Sequence, residues 1–579
     1  MATEWVFQPR NDVLQRELSA HLGIGPITAQ VLINRGIATP AEARTFLSPD
    51  LTDLYEPGLL PDMDAAVQTI VRHIRRGSRI LLYGDYDVDG MCALSVLKQF
   101  LRLAGSEART YIPERATEGY GVHLEAIQRF KTEEVDLIIT VDCGVASVKE
   151  AAEARRLGME LVITDHHEPG TERPDAAAVI DPKLESSTYP FKELAGVGVA
   201  FKLAWALAQE LSPGRRAKPI FKDFLLDAMG LVALGTIADV VPLLDENRVL
   251  ARFGLQALRY SQLPGIQALL AQTRLIDARL DTDDISFRLA PRLNVAGRMG
   301  DADLALQLLN TDNQGEAERI AAQLEGLNRE RQKIQGEIIE SARERIAREL
   351  KPGQKIIILA DETWNAGIIG IVASHLVEEF YRPTILFNLD GDLGRGSARS
   401  IPGLNIVEIL SKCRCPLLSY GGHSQAAGLR IERQHLDRFR QELCELTDQV
   451  LVEEDLRPKL EVDAEVTLSL LDAPTVAELW RLAPFGQSAP PPLLAARQVR
   501  IGAPRRVGAS GRHLSFYAGQ GDCAIRAIAF GMGPVAEDLL PRTSRVCDLA
   551  FVPKINNWQG RENVELEVKD IRLEDPSES

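Results

Sequence analysis

Three carboxylates fall within five residues in the run Tyr83-Gly84-Asp85-Tyr86-Asp87-Val88-Asp89-Gly90. A spacing of two puts Asp85, Asp87 and Asp89 on one side of the chain if the segment is extended. Like charges this close repel, and such clusters usually need a compensating cation. A calcium loop of the EF-hand kind is excluded, because the run passes into apolar sequence with no glutamate at the twelfth loop position. A plain acidic loop is the other reading of this segment taken alone. Two further apolar runs end on the same kinds of side chain. Leu137–Val141 delivers Asp142-Cys143-Gly144, and Leu161–Thr164 delivers Asp165-His166-His167. A fourth acid, Asp239, interrupts the apolar stretch Gly235–Pro242, where a carboxylate is either paired or a ligand. Oxygen-rich ligands with one or two imidazoles suit manganese or magnesium better than a thiolate zinc site.

The elements that must position these groups are legible as well. From about 78 to 182, short β-rich runs alternate with helical ones: Arg79–Tyr83, Ala108–Ile112, Val135–Val141, Glu160–Thr164 and Ala177–Ile180. That alternation predicts βαβ units around a mainly parallel sheet, with ligands beyond the carboxyl ends of the strands. Helical patterns fill about 196 to 310. Ile320, Leu324, Leu327, Ile334, Ile338, Ala342, Ile346 and Leu350 then recur at helical spacing and predict one long helix over 314–350, with Glu325/Arg329 and Glu344/Arg348 as ion pairs. Lys351-Pro352-Gly353 ends it. A second α/β unit starts at Lys355–Ala360, and from about 459 the pattern is all-β, as expected for a small barrel of the OB type. The expected organisation is an accessory segment over 1–65, a catalytic α/β domain over 66–312, a connecting helix over 313–352, a second α/β domain over 353–455 and the barrel over 456–579.

In order and spacing, the Asp85–Gly90 run, Asp142-Cys143-Gly144, Asp165-His166-His167 and the Asp239 segment resemble the four motifs of the DHH phosphoesterase superfamily. That resemblance implies two manganese or magnesium ions held by Asp87, Asp89, Asp142, His166 and Asp239, with Asp142 as the bridge and Asp85 supporting. Asp165 and His167 complete the implied catalytic group. Two such ions support in-line hydrolysis of a phosphodiester or pyrophosphate. The segments Gly394-Arg395-Gly396-Ser397-Ala398-Arg399-Ser400 and Gly421-Gly422-His423 resemble the substrate-binding DHHA1 domain. Ile112-Pro113-Glu114-Arg115 and Ala290–Gly300 are similar to RecJ-type exonucleases. The resemblance therefore implies degradation of single-stranded DNA from its 5′ end to 5′-mononucleotides, in repair and recombination, with Arg115, Arg298, Ser397, Arg399, Gly422 and His423 contacting substrate. Arg292 reads instead as a solvated ion pair. In the barrel, Arg505, Arg506, Arg512, His513, Phe516, Tyr517 and Trp558 are available to a single strand, although each could equally serve the core or be solvated. Two other readings compete: a hydrolase of nano-oligonucleotides or cyclic dinucleotides, and a non-catalytic replication scaffold resembling Cdc45. The barrel speaks against the first, and the complete ligand set against the second.

Composition bounds these readings. The 579 residues, 45% hydrophobic and 26% charged, indicate several ordinary globular domains. No run is long and apolar enough to suggest a membrane span, and Met-Ala-Thr-Glu-Trp lacks the layout of a secretory signal. Seven scattered cysteines without paired C-x-x-C spacing read as reduced thiols, so a cytoplasmic location and no membrane partner are expected. A net charge of −16 opposes bulk attraction to nucleic acid. It is compatible with a polyanionic substrate if carboxylates hold cations and arginines gather along one groove. The family implies single-strand-binding protein and a repair helicase as partners, and a monomer is expected.

Overall fold

The computed structural model describes residues 3–114, 118–215, 217–508, 511–536, 546–558 and 561–573. Two units emerge: Tyr55–Val241 with Leu250–Pro458, and Met1–Leu54 with Pro242–Val249 and Lys459–Ser579.

The larger unit holds two sheets. The first is all parallel, in the order Ala108–Tyr111, Ile80–Tyr83, Leu137–Val141, Glu160–Thr164, Ala178–Ile180. Its central strands are buried on both faces, so they read as continuous apolar runs rather than alternating ones. Within this sheet the chain enters at Ile80–Tyr83, then adds one neighbour on one side and the rest on the other. The order thus reverses between Ile80–Tyr83 and Leu137–Val141, where open sheets of this kind leave a crevice for ligands. The acidic run is not an extended segment, contrary to the simple spacing argument. Asp87 is the N-cap of the helix Val88–Leu103, accepting from the Gly90 N–H at 3.0 Å, so Asp89 lies in the first helical turn. A β-carbon on Gly90 would lie 2.8 Å from the Asp85 backbone, which explains a glycine there.

The long helix runs from Gln314 to Glu349, with Asn313 capping its N-terminus. Glu325 receives both Arg329 at 2.8 Å and Arg292 at 2.7 Å, so Arg292 is an ion pair as expected, but a largely buried one rather than a solvated one. Arg348 reaches Glu349 at 2.9 Å, and no Glu344/Arg348 pair occurs among the described ion pairs. The later part of the helix packs Ile338, Ala342 and Ile346 against Ile357, Leu359, Ile369 and Val372. The second sheet has the order Leu417–Gly422, Ala426–Glu432, Leu393–Arg399, Thr384–Asp390, Ile357–Asp361, antiparallel except for the last pair.

In the smaller unit the strands Leu494–Val507, His513–Gln520, Cys523–Ala529, Arg561–Leu573 and Val546–Trp558 pair in that order. The first pairs again with the last, closing a five-stranded barrel. The N-terminal residues share its core: Leu18, Val31, Leu32 and Phe46 pack with Leu468, Val476 and Leu482. The chain also opens on a strand, Glu4–Phe7, parallel to Lys459–Val462. Arg248 is almost fully buried here. It donates to the carbonyls of Phe46, Leu482, Ala483 and Pro484 at 2.7–2.9 Å while stacking on the Phe46 ring. Removing it leaves several buried carbonyls without that donor, each costing about 1–3 kcal/mol. Arg248→Ala is therefore expected to destabilise the smaller unit by about 3 kcal/mol or more, measured as a lowered urea midpoint in tryptophan fluorescence, to which Trp5 and Trp480 of that unit contribute. An unchanged midpoint would show the guanidinium to be dispensable.

Candidate metal centre and substrate cleft

The strand ends of the parallel sheet bring the acids and histidines together. Ligand atoms of Asp85, Asp87 and Asp142 lie within 4.8 Å of one another, as do those of Asp89, His166 and Asp239, and those of Asp142, His166 and His167. Asp142 belongs to two of these groups. Its backbone has φ +60, an uncommon left-handed conformation for a non-glycine residue, at the point where Leu137–Val141 ends. Asp239 follows the helix Pro219–Ala238 as its C-cap.

Asp85, Asp89, Asp142, Asp165 and His166 are all buried. Burial pushes the Asp89 carboxyl up to about 7, with the charge of Asp87 adding to it. Asp142 and Asp239 are driven well above the usual carboxylate range, first by burial and then by the charge of Asp89. Burial also lowers His166 to about 3, so its ring is neutral and suited to act as a ligand. His166 Nε2 lies 3.1 Å from Asp142 Oδ1, 3.6 Å from Asp239 Oδ2 and 3.9 Å from Asp89 Oδ2. Asp142 Oδ1 and His166 Nε2 are both buried, and neither makes a hydrogen bond. Buried polar atoms are rarely left so. A neutral imidazole and several carboxylates aimed at one small volume fit hard divalent cations.

Asp165 has a different place. One of its oxygens accepts from Val145 N–H; the other accepts from the backbone N–H of His166 and His167 and from His167 Nδ1, at 2.8–3.2 Å. Burial would raise its pKa, but the hydrogen bond and charge of His167 outweigh this and hold it low. The same pairing raises His167 against its own burial. Asp165 therefore fixes the orientation of His167 rather than facing the cluster. Asp89 is held similarly by the start of the helix Gly196–Glu210, whose first N–H groups, Gly196 and Val197, donate to it at 2.7 and 3.0 Å.

The second sheet of the same unit supplies the opposite wall. The ring of His423 stacks on that of His167 at 6.2 Å and 17°. Gly422 makes that approach possible: its φ is +147, and a β-carbon would lie 2.2 Å from the Ala426 carbonyl across the hairpin. Arg399 donates to Ser374 Oγ and Ser397 Oγ, both at 3.1 Å. Gly370 lies against them at the start of the helix Ile369–Phe380, since a β-carbon there would sit 2.9 Å from Ser397 Oγ. Arg298 donates weakly to the Gly367 carbonyl at 3.4 Å. Arg115 lies outside the described residues, as do residues 559–560 and the side chain of Trp558. Sequence reasoning missed Ser374, Gly370 and Tyr120. The Tyr120 hydroxyl donates to the Asp142 carbonyl at 3.1 Å and lies 3.0 Å from His167 Nδ1. The glycines of Asn365-Ala366-Gly367-Ile368-Ile369-Gly370 before a helix could have signalled the first two; nothing in the sequence marks Tyr120. In the barrel, Phe516 is buried in the core and is not available for stacking, because the alternation of its strand turns it inward. Among the described residues, Tyr517 and Phe530 are the exposed aromatics there.

The chain matches the DHH family, N-terminal domain, over residues 79–236, the DHHA1 domain over 353–449 and the RecJ OB domain over 462–570. It is 39% identical to the single-stranded-DNA-specific exonuclease RecJ of Bacillus subtilis (strain 168), covering 98% of this chain and 71% of that protein. It is 34% identical to the protein of that name from Escherichia coli (strain K12), covering 94% and 96%. Its fold is similar to the crystal structure of RecJ in complex with Mn2+ from Thermus thermophilus, with a TM-score of 0.83 and 30% identity over 99% of this chain and 80% of that one. With identity of this level over nearly its whole length, and with a DHH segment, a DHHA1 segment and a RecJ-type OB segment in that order, the chain belongs to the RecJ family.

Proposed function

We propose that this chain is a metal-dependent exonuclease that hydrolyses single-stranded DNA from the 5′ end to 5′-mononucleotides. The observation that carries the reading is the buried pair Asp142 Oδ1 and His166 Nε2, 3.1 Å apart without hydrogen bonds, inside a group of carboxylates. The named activity of its relatives and the manganese of the Thermus thermophilus structure support it. Asp87, Asp89, Asp142, His166 and Asp239 would hold two divalent cations, manganese or magnesium, with Asp85 supporting. When bound, such a pair lowers the pKa of water and stabilises charge developing on the reacting phosphate.

The chain's own residues do the rest. Asp165 holds Nδ1 of His167 and so fixes its ring, and His423 stacks beside it, leaving both imidazoles available to a phosphate or leaving oxygen. Ser397 and Arg399, with Ser374 and Gly370, form a donor-rich recess suited to a terminal phosphate, whose extra negative charge distinguishes an end from an internal diester. Arg298 and Gly422 belong to the same substrate-binding group, to which the resemblance of its segment also assigns Arg115. In this reading residues 66–312 carry the chemistry, 313–352 connect, 353–455 bind the 5′ end and 456–579 bind the strand, with 1–65 accessory. Exposed Tyr517 and Phe530 suit base stacking by the barrel. Among the described residues no helix is long and apolar enough to cross a membrane. A cytoplasmic monomer that meets single-strand-binding protein and a repair helicase fits this activity.

Asp142→Ala is expected to lower hydrolysis of a labelled single strand on the order of 1000-fold while circular dichroism is unchanged. Near-normal rates at saturating manganese would remove Asp142 from the centre. Arg399→Ala should cost about 2 kcal/mol, roughly 30-fold, on 5′-phosphorylated strands and much less on 5′-hydroxyl ones. Both substrates need the same salt, because backbone contacts are salt-sensitive. An equal loss on the two would reduce Arg399 to a general backbone contact.

A further inference from the structure

The two most deeply buried acids of the cluster meet at one residue that has no side chain. Gly196 opens the helix Gly196–Glu210, and its N–H donates to Asp89 Oδ2 at 2.7 Å. Its α-carbon faces Asp142. A β-carbon at Gly196 would lie 2.7 Å from Asp142 Oδ1, 2.8 Å from Asp142 Cβ and 2.9 Å from Asp142 Cγ. The carboxylate could swing aside, but the Asp142 β-carbon moves only with a backbone already at φ +60. Asp89 has little room as well, since Gly235 packs so closely that a β-carbon there would lie 2.7 Å from Asp89 Oδ1. Neither acid can retreat from an added methyl without changing its relation to the other. We propose that Gly196 is a positioning residue that sets the separation of the Asp89 and Asp142 carboxylates, binding one through its N–H and admitting the other through its missing side chain. This rests on the reading that these acids hold cations, and it names the element that spaces them.

Gly198 supplies the control. It lies in the same helix, and its β-carbon would make only ordinary contacts, at 3.4 Å or more, with Leu194 and Leu250. Gly196→Ala and Gly198→Ala are compared in the full chain by calorimetric titration with manganese chloride and by steady-state kinetics on a 5′-phosphorylated oligonucleotide. Gly196→Ala should bind manganese roughly 10- to 100-fold more weakly, the size seen when residues that orient metal ligands are changed. Its kcat should fall while KM for the oligonucleotide stays put, because the Ser397 and Arg399 recess is untouched. Gly198→Ala should match the parent in both. A second arm uses thermal denaturation without metal. Asp142→Gly removes the three atoms nearest to the new methyl and suits the left-handed backbone. In that background Gly196→Ala should lower Tm less than it does in the parent, and this arm still reads if the single variant folds poorly. Parental manganese affinity in Gly196→Ala, an equal loss in Gly198→Ala, or an equal Tm cost in both backgrounds would overturn the proposal. If the unsubstituted chain binds no manganese, the metal reading itself fails, and the Tm comparison still decides whether Gly196 spaces the two acids.

Discussion

Mutual repulsion among buried carboxylates is the constraint on which the rest of the larger unit depends. Asp85, Asp89 and Asp142 are almost wholly excluded from solvent, and Asp239 stands close by. The positive charge of Lys183 reaches Asp239, but it offsets little of the burial and acid–acid repulsion that raise that carboxyl. Such a grouping stays ionised only if a rigid frame imposes it and if something else supplies positive charge. The frame is the parallel sheet, whose strands are buried on both faces and end together at the point where their order reverses. The helix start at Gly196 and Val197 adds backbone dipoles to one of the acids.

Much of this was legible in the sequence because it is local. Asp142 and His166 follow an apolar strand by one or two residues, so the strand and its acid or histidine are read in one window: Val141 then Asp142, Thr164 then Asp165-His166-His167. The strand bounds fall within a residue or two of those expected, and the long helix ends at Glu349 beside Pro352-Gly353. The spacing argument at Asp85–Asp89 failed in one respect. Asp87 turned out to be a helix cap, because a short carboxylate beside free N–H groups competes with extended backbone. In the same way Arg348 found Glu349 rather than Glu344, since neighbouring partners were equally close to hand.

What could not be read was non-local. Nothing in Glu4–Phe7 announces that it pairs with Lys459–Val462, or that Trp5 Nε1 will donate to Asp570 at 2.8 Å. Arg248 looks like any helix arginine until its four carbonyl partners, two hundred residues away or more, are known. Phe516 and Tyr517 are adjacent aromatics of which only one faces out, and the strand register decides which. The roles of Gly196 and Tyr120 are of this kind too: each matters through an atom of Asp142, which follows the strand Leu137–Val141.

The central claim is that this acidic cluster holds two cations close enough to act on one phosphate. Electron paramagnetic resonance of the chain loaded with increasing manganese tests it most directly. The account predicts that the signal at saturation is that of two spin-coupled ions per chain, reached with a stoichiometry of two. A single isolated six-line manganese signal at saturation, or no bound manganese at all, would contradict it.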